Sequence, residues 1–390
     1  MANNFTASFE EVWGREQQEV FYKKNLAMEM ADSSHNSAMS KGDTLNRTYR
    51  SSVSVQAYTR GSEITIDDNS DTNEQLTVNR EFATGMYIDN FDQIQGKYNI
   101  AANYGKDYGE ALANQVDADV LGEVVNADSA LSAVTLSTSN VLAMFSGAKK
   151  ELRRNNISSN NLSAIISPDV ESILIQYGAG RDTSMGDRIN KEGYFGKFQG
   201  FECYVSNQLA GSAVLGLATQ PTDGDTITVD GITFTFVSTI GTTAGNVLIG
   251  ANVDATRASL AALIAAPSTT TATGVALSET NARKVANTWT GTDDATADTL
   301  SFVCNGVGVL EVSTDLTDET DAFSSILQHN VFGVSKKMTT LVMQSSPKVQ
   351  AKEVPNKLGK NMLNSVLYGV KTFGDNAKQM VDAPINAASL

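Results

Sequence analysis

Residues 101–125, AANYGKDYGEALANQVDADVLGEVV, are the stretch from which the rest of the chain is most easily understood. Tyr108, Leu112, Val116, Val120 and Val124 recur at intervals of four, with Leu121 and Val125 beside them. Residues four apart are neighbours on a helix surface, so this spacing predicts one long helix with a single apolar stripe. Asp117, Asp119 and Glu123 are then expected on its outward side.

Working upstream, the pattern changes from period four to period two. Val53, Val55 and Ala57, then Ile64 and Ile66, then Leu76 and Val78 alternate with polar residues, which predicts strands over Asp43–Glu81. The turn is expected at Asp67–Asp71, a run too polar to pack and rich in turn-forming residues. Two-stranded hairpins are marginal alone in water, so an arm of this length is expected to be held by the domain body or by another subunit. Further upstream, Ser8 and Glu11 make a capping box ahead of Phe9, Val12, Trp13, Val20 and Phe21, which predicts an N-terminal helix.

Downstream, a second helix is expected from about Asn140, burying Val141, Leu142, Phe145, Ala148 and Leu152. It closes on Lys149, Lys150, Arg153 and Arg154 before Asn155-Asn156. Cations there complement the helix dipole, with phosphate contact as the alternative use. A short buried strand at Ala164–Ile166, a helix from Ser167-Pro168 through Tyr177, a Gly-rich loop over Gly178–Gly200 and a strand at Phe201–Val205 follow.

The texture shifts again at Thr222–Ile326, which is rich in Thr, Ala and Asp. Asp225–Val229 and Ile232–Val237 flank Asp230-Gly231, a hairpin signature. A helix from Asp254 that stops before Pro267, a helix opened by Ser278, and strands at Thr299–Cys304 and Val307–Val312 complete what is expected to be a small separate α/β domain. This segment holds 13 acids against Arg257, Arg283 and Lys284, a balance of −10, whereas Lys336–Lys378 holds eight lysines against Glu353 and Asp375, a balance of +6. Blocks so unequal can mark an inside and an outside surface.

The chain is 390 residues long with a formal charge of −15, which argues against general binding to a phosphate backbone. Met1–Glu16 lacks the apolar core of a secretory leader, and Leu260–Ala266 is too short to span a bilayer, so a soluble protein made inside a cell is expected. Cys203 and Cys304 form no CxxC and are expected to be buried free thiols.

Catalytic signatures fail one at a time. Neither His35 nor His329 lies near a nucleophile motif, so no triad is expected. The loop at Gly178, Gly180 and Gly186 lacks the ending of a phosphate loop, and Asp67, Asn69 and Asp71 begin an EF-hand pattern that Thr72 and Val78 break. Asp293 and Asp294 sit in a polar stretch with no apolar pocket to raise a pKa. The expectation is therefore of no enzyme, no catalytic, cofactor or metal residues, and no cofactor.

The order of parts resembles the capsid fold of tailed phages, herpesviruses and encapsulins. Gly196–Asn207, GKFQGFECYVSN, resembles the strand before the outermost loop of many phage coat proteins, and Ser365–Lys371, SVLYGVK, looks like their closing strand. An acidic segment inserted after the first of these is similar to podovirus-like coat proteins with an insertion domain. The resemblance implies an α+β major capsid protein of the Hong Kong 97 type. Its parts would be an N-terminal arm over 1–42, an extended loop over 43–85, and the spine helix with the first part of the peripheral and axial domains over 86–221. An inserted domain over 222–326 and a return over 327–390 would follow. It further implies a shell of hexamers and pentamers enclosing double-stranded DNA without specific binding, made in the host cytoplasm and located in the virion, with no membrane. Portal and decoration or head-fibre proteins would be partners. No long N-terminal coiled coil is present, so a separate scaffolding protein is implied, and no Lys–Asn crosslinking motif can be placed. The rival expectations are an encapsulin-like nanocompartment shell and a phage tail-tube or decoration protein.

Overall fold

The computed structural model describes residues 26–37, 39, 41–50, 55–63, 71–89, 100–158, 160–179, 196–316, 322–355 and 357–387. The helix expected over Ser8–Phe21, the strand positions Val53, Ile64 and Ile66, the turn residues Asp67–Ser70 and most of the Gly-rich loop lie outside them.

In chain order come α1 (Ala27–Met30), β1 (Ala31–Asp32), β2 (Thr44–Arg50), β3 (Asp71–Thr77), β4 (Arg80–Asp89) and the long helix α2 (Ile100–Gly122). Next are β5 (Ser129–Ala130), α3 (Thr138–Arg154), β6 (Leu162–Ile166), α4 (Pro168–Ala179), β7 (Lys197–Phe198), β8 (Phe201–Val205) and β9 (Gly211–Gly216). The Thr-rich segment supplies β10 (Thr226–Val229), β11 (Ile232–Val237), β12 (Asn246–Leu248), α5 (Val253–Ala265), α6 (Glu279–Thr288), β13 (Trp289–Asp294), β14 (Thr299–Cys304) and β15 (Val312–Thr314). The return runs through β16 (Phe323–Val334), β17 (Thr339–Glu353), β18 (Gly359–Lys371), α7 (Gly374–Ala377) and β19 (Met380–Asn386). The class is α+β, as expected.

The chain divides into two compact units, one of Met1–Lys24, Ala31–Ala113 and Lys336–Lys378, the other of Asn25–Met30, Asn114–Ser335 and Gln379–Leu390. The first unit is built on a sheet in the order β1-β17-β18-β4. Along β18, Met362, Asn364, Val366 and Tyr368 are buried while Leu363 and Ser365 are exposed, the alternation that a sheet with one covered face requires. β2 and β3 pair antiparallel from Thr44 with Thr77 to Arg50 with Asp71. Leu76 and Val78 pack with Met39, Val342 and Phe373, so the base of this hairpin has a core of its own.

Of the turn expected at Asp67–Asp71, only Asp71 is among the described residues. Asp71 is the first residue of β3, paired with Arg50, and is not part of a turn. The described turn is at Thr59–Ser62, where Ser62 N donates to Thr59 O at 3.1 Å and Gly61 takes φ +87°, a conformation that costs glycine little. Val55 and Ala57, expected on a strand, are exposed in irregular backbone.

In the second unit β13-β14-β9-β16-β6-β8-β7 form one sheet, with β19 on β16 and β5 on β19. α3 starts on Ser137, whose hydroxyl accepts from Asn140 N, and its buried Phe145 meets Phe198, Phe201 and Phe332 edge-on at 5.1, 6.0 and 4.8 Å between centroids. Edge-to-face contact suits the ring quadrupoles, and the four rings fix the helix on β8 and β16. Met144 is buried on this face, and Leu142 is only half-buried.

Three sequence readings are corrected in this unit. Asp117 and Asp119, expected to face outward from α2, are each 3% exposed. The Asp117 carboxylate accepts from Ala27 N at 2.8 Å and Leu26 N at 3.1 Å, holding the first turn of α1, and Asp119 accepts from Gln115 Nε2. Conversely Val125, expected beside the apolar stripe, is exposed, because the helix tightens into a 3-10 turn over Glu123–Asn126. Second, Val307–Val312 is not one strand: Gly306 and Gly308 take φ +74° and +69°, and β15 begins only at Val312.

The third correction concerns Thr222–Ile326. Its hairpin forms as expected, with Asp230 and Gly231 at positive φ as a type I′ turn requires, and β12-β11-β10-β15 make a small sheet. However, β14 pairs with β9 from Thr299 with Gly216 to Cys304 with Gly211, and β13 continues that sheet outward. Ala213, Leu215 and Leu217 belong to the same hydrophobic cluster as Ile227, Phe234, Phe236, Leu260 and Phe302. The expected boundary at Thr222 therefore cuts through a shared sheet and a shared core. Arg257 reinforces the junction from α5: its fully buried guanidinium bonds Leu217 O at 2.9 Å, Asp293 at 2.9 Å, Asp298 at 3.2 Å and Asp254. Asp293, expected in an unstructured polar stretch, is thus a strand residue paired to a buried cation.

Candidate functional site

The hairpin and its loop form the first candidate. The lysine-rich return clamps the hairpin's base: Arg47 bonds Asp375 at 2.9 Å and Asn376 at 3.1 Å and lies over the Phe373 ring. Glu74 accepts from Gly374 N at 3.0 Å, Lys371 donates to Gln75 O at 2.7 Å and Lys378 to Tyr49 Oη at 3.0 Å. Part of the +6 balance is thereby spent within the subunit. Beyond this fixed base, Val55 is 98% and Tyr58 61% exposed. Large apolar side chains on an exposed loop are the usual chemistry of a contact surface, since their burial on association removes apolar area from water.

The basic end of α3 is the second. Lys149, Lys150, Arg153 and Arg154, with Ser146 and Gln199, line an open groove of about 530 Å³. Lys149 donates to Gln199 O at 2.8 Å, while Lys150 and Arg154 share Glu151 at 3.2 and 2.9 Å. Lys149, Lys150 and Arg154 are thus engaged locally around a helix C-terminus, where the dipole favours cations.

The third was missed by the sequence reading. His329 on β16 is flanked by Ser212 on β9, whose Oγ lies 2.8 Å from Nε2, and by Asp382 on β19, whose Oδ2 lies 2.8 Å from Nδ1. The sequence reading indicated no such array. Its members are 117 and 53 positions apart, and only the order β9-β16-β19 makes them neighbours, so no motif could have signalled them. His35 belongs to a turn, its carbonyl accepting from Met39 N. Cys203 is half-buried and Cys304 buried; burial pushes both thiols up, Cys203 to about 12, so neither is a ready nucleophile. Among the described residues no helix is long and apolar enough to cross a membrane.

The chain combines a two-stranded hairpin, one long helix, a sheet of long return strands and a second mixed sheet, an α+β arrangement that solved structures identify as the fold of tailed-phage major capsid proteins. A solved structure of Mycobacterium phage Che8 superposes with a TM-score of 0.56 at 15% identity, over 93% of this chain and 92% of that one. A capsid structure of the cyanophage P-SCSP1u superposes with a TM-score of 0.52 at 12% identity, over 92% and 86%. At such identities the likeness is one of fold. No family model and no curated protein sequence matches the chain.

Proposed function

We propose that this protein is the major capsid protein of a tailed double-stranded DNA phage, self-assembling as hexamers and pentamers into an icosahedral head. The observation that carries the reading is the pairing of a clamped hairpin base with an exposed loop bearing Val55 and Tyr58, on a chain with a capsid fold. A rigid base aims the loop, and the loop's apolar groups gain most from a neighbouring copy. Many modest contacts of this kind sum through multivalency once a shell closes.

In this reading the second unit is the axial domain, with Thr222–Ile326 as an insertion seated on its sheet. Its balance of −10 favours the outer face, where solvent screens it, over the lumen, where packaged DNA would repel it. The genome is enclosed without sequence-specific contact, a separate scaffolding protein directs assembly, and portal and decoration or head-fibre proteins complete the virion. Expression together with the scaffolding protein of the same genome, followed by negative-stain microscopy, is expected to give closed shells of uniform size. A compact monomer under every condition would overturn the proposal.

A further inference from the structure

The Ser212–His329–Asp382 array has the atom order of a nucleophilic relay, and its surroundings differ along its length. Asp382 and His329 are 6% and 7% exposed, while Ser212 is only partly buried. An ionised carboxylate only accepts hydrogen bonds, so Asp382 fixes the imidazole proton on Nδ1 and leaves Nε2 as an acceptor. The Ser212 hydroxyl must then donate to Nε2, the arrangement in which a base is ready to take the hydroxyl proton.

Strand register places the hydroxyl on a face with two useful neighbours. Ser212 pairs with Val303, and Ser301 with Val214, so Ser212, Val214 and Ser301 share one face of the sheet. Ser324, paired with Val214, lies there too. None of the three serines is fully buried. Only Ser212 has a histidine behind it.

The residue type behind His329 is a second observation. Asp382 Oδ1 is buried and has no hydrogen-bond partner among the described residues. Leaving a buried carboxylate oxygen bare is costly, and a neutral side chain accepting one bond from Nδ1 would tie β16 to β19 without that cost. What only the carboxylate offers is charge beside an imidazole that is about to become imidazolium.

We propose that Ser212 is an activated nucleophile that takes the acyl group of a small ester, with His329 as its base and Asp382 as the positioning residue. In the first step Ser212 Oγ bonds to the ester carbonyl carbon, and its proton passes to His329 Nε2. The carbonyl–alkoxide bond breaks and the alkoxide leaves with that proton, so the acyl group is now esterified to Ser212. Water, deprotonated by Nε2, then attacks the acyl carbon, Ser212 Oγ recovers the proton, and the carboxylic acid departs. The net change is ester plus water to acid plus alcohol, with no other reactant.

The test uses the purified, unassembled full-length protein and a fluorophosphonate probe, with adducts located by peptide mass spectrometry over time. Ser301 and Ser324 are internal references on the same face. Ser212 is expected to label on the order of 100-fold faster than either, the scale of general-base assistance, and Ser212→Ala should remove that adduct. Asp382→Asn keeps the shape but not the charge, and should bring the Ser212 rate down towards that of Ser301 with the thermal midpoint little changed. With p-nitrophenyl acetate, the same two variants should lose the release of nitrophenolate. Ser212 labelling no faster than Ser301, or not at all, overturns the proposal from the native protein alone. A folded Asp382→Asn protein that labels at the native rate overturns it equally.

Discussion

Asp117 shows what helical periodicity can and cannot convey. Spacing assigned it to the outward side of α2, but a face is outward only if nothing else covers it, and the covering segment is Leu26–Met30, some 90 positions away. Burial pushes its carboxyl up to about 7, against the Ala27 and Leu26 amides that pull it down. The sign follows from linkage. With a native value above the unfolded 3.8, the native state holds the extra proton between the two. This residue's contribution is therefore fully present below the unfolded value and is lost as pH rises towards about 7, at no more than about 1.4 kcal/mol per pH unit. In urea titrations across that window, stability should fall less with rising pH in Asp117→Asn than in the native protein; parallel curves would show that the carboxyl is not the titrating group. Arg257 gives a second prediction at this scale. Arg257→Met leaves the buried Leu217 O without its donor, which costs about 1 to 3 kcal/mol, while the carboxylates of Asp254, Asp293 and Asp298 are open to water. No loss in denaturant unfolding would show that Leu217 O finds another donor.

At the scale of elements, legibility followed locality. The helix α3 and the hairpin β10–β11 were readable because their signals are contiguous: an apolar stripe through Val141, Phe145, Ala148 and Leu152, and Asp230-Gly231 between alternating strands. β13 was not readable, since its Thr, Gly and Asp residues carry no strand pattern and it is a strand because β14 lies beside it. Of the turn expected at Asp67–Asp71 only Asp71 is described, and polarity alone did not mark it as the strand residue that its pairing with Arg50 makes it. Gly369 lies inside the closing strand, and a Cβ there would stand 2.7 Å from Thr77 O, at the end of β3. Gly369→Ala is accordingly expected to loosen the hairpin base, seen as faster amide exchange over Thr72–Thr77 with the Phe145 cluster unaffected. Phe145→Ala should do the reverse and lower overall stability by about 3 to 5 kcal/mol, as loss of a buried phenyl group does.

For the whole molecule, order and class could be read from the sequence, and the junctions could not. The shift to Thr-, Ala- and Asp-rich sequence at Thr222 is real, yet composition changes where the surface changes, and the core continues through Leu215 and Leu217. A fragment of residues 222–326 lacks β9 and those side chains, so it is expected to melt without a cooperative transition. A fragment that melts cooperatively alone would restore the boundary at Thr222. Shell formation is the claim on which the functional account rests, and a cryo-electron microscopy map of the assembled particle tests it most directly. The predicted result is a closed shell in which the loop over Val55–Glu63 lies against a second copy, with Val55 and Tyr58 covered and the Arg47–Asp375 clamp within one subunit. A map with that loop bare to solvent, or shells that form equally well when both Val55 and Tyr58 are changed to Asp, would contradict it.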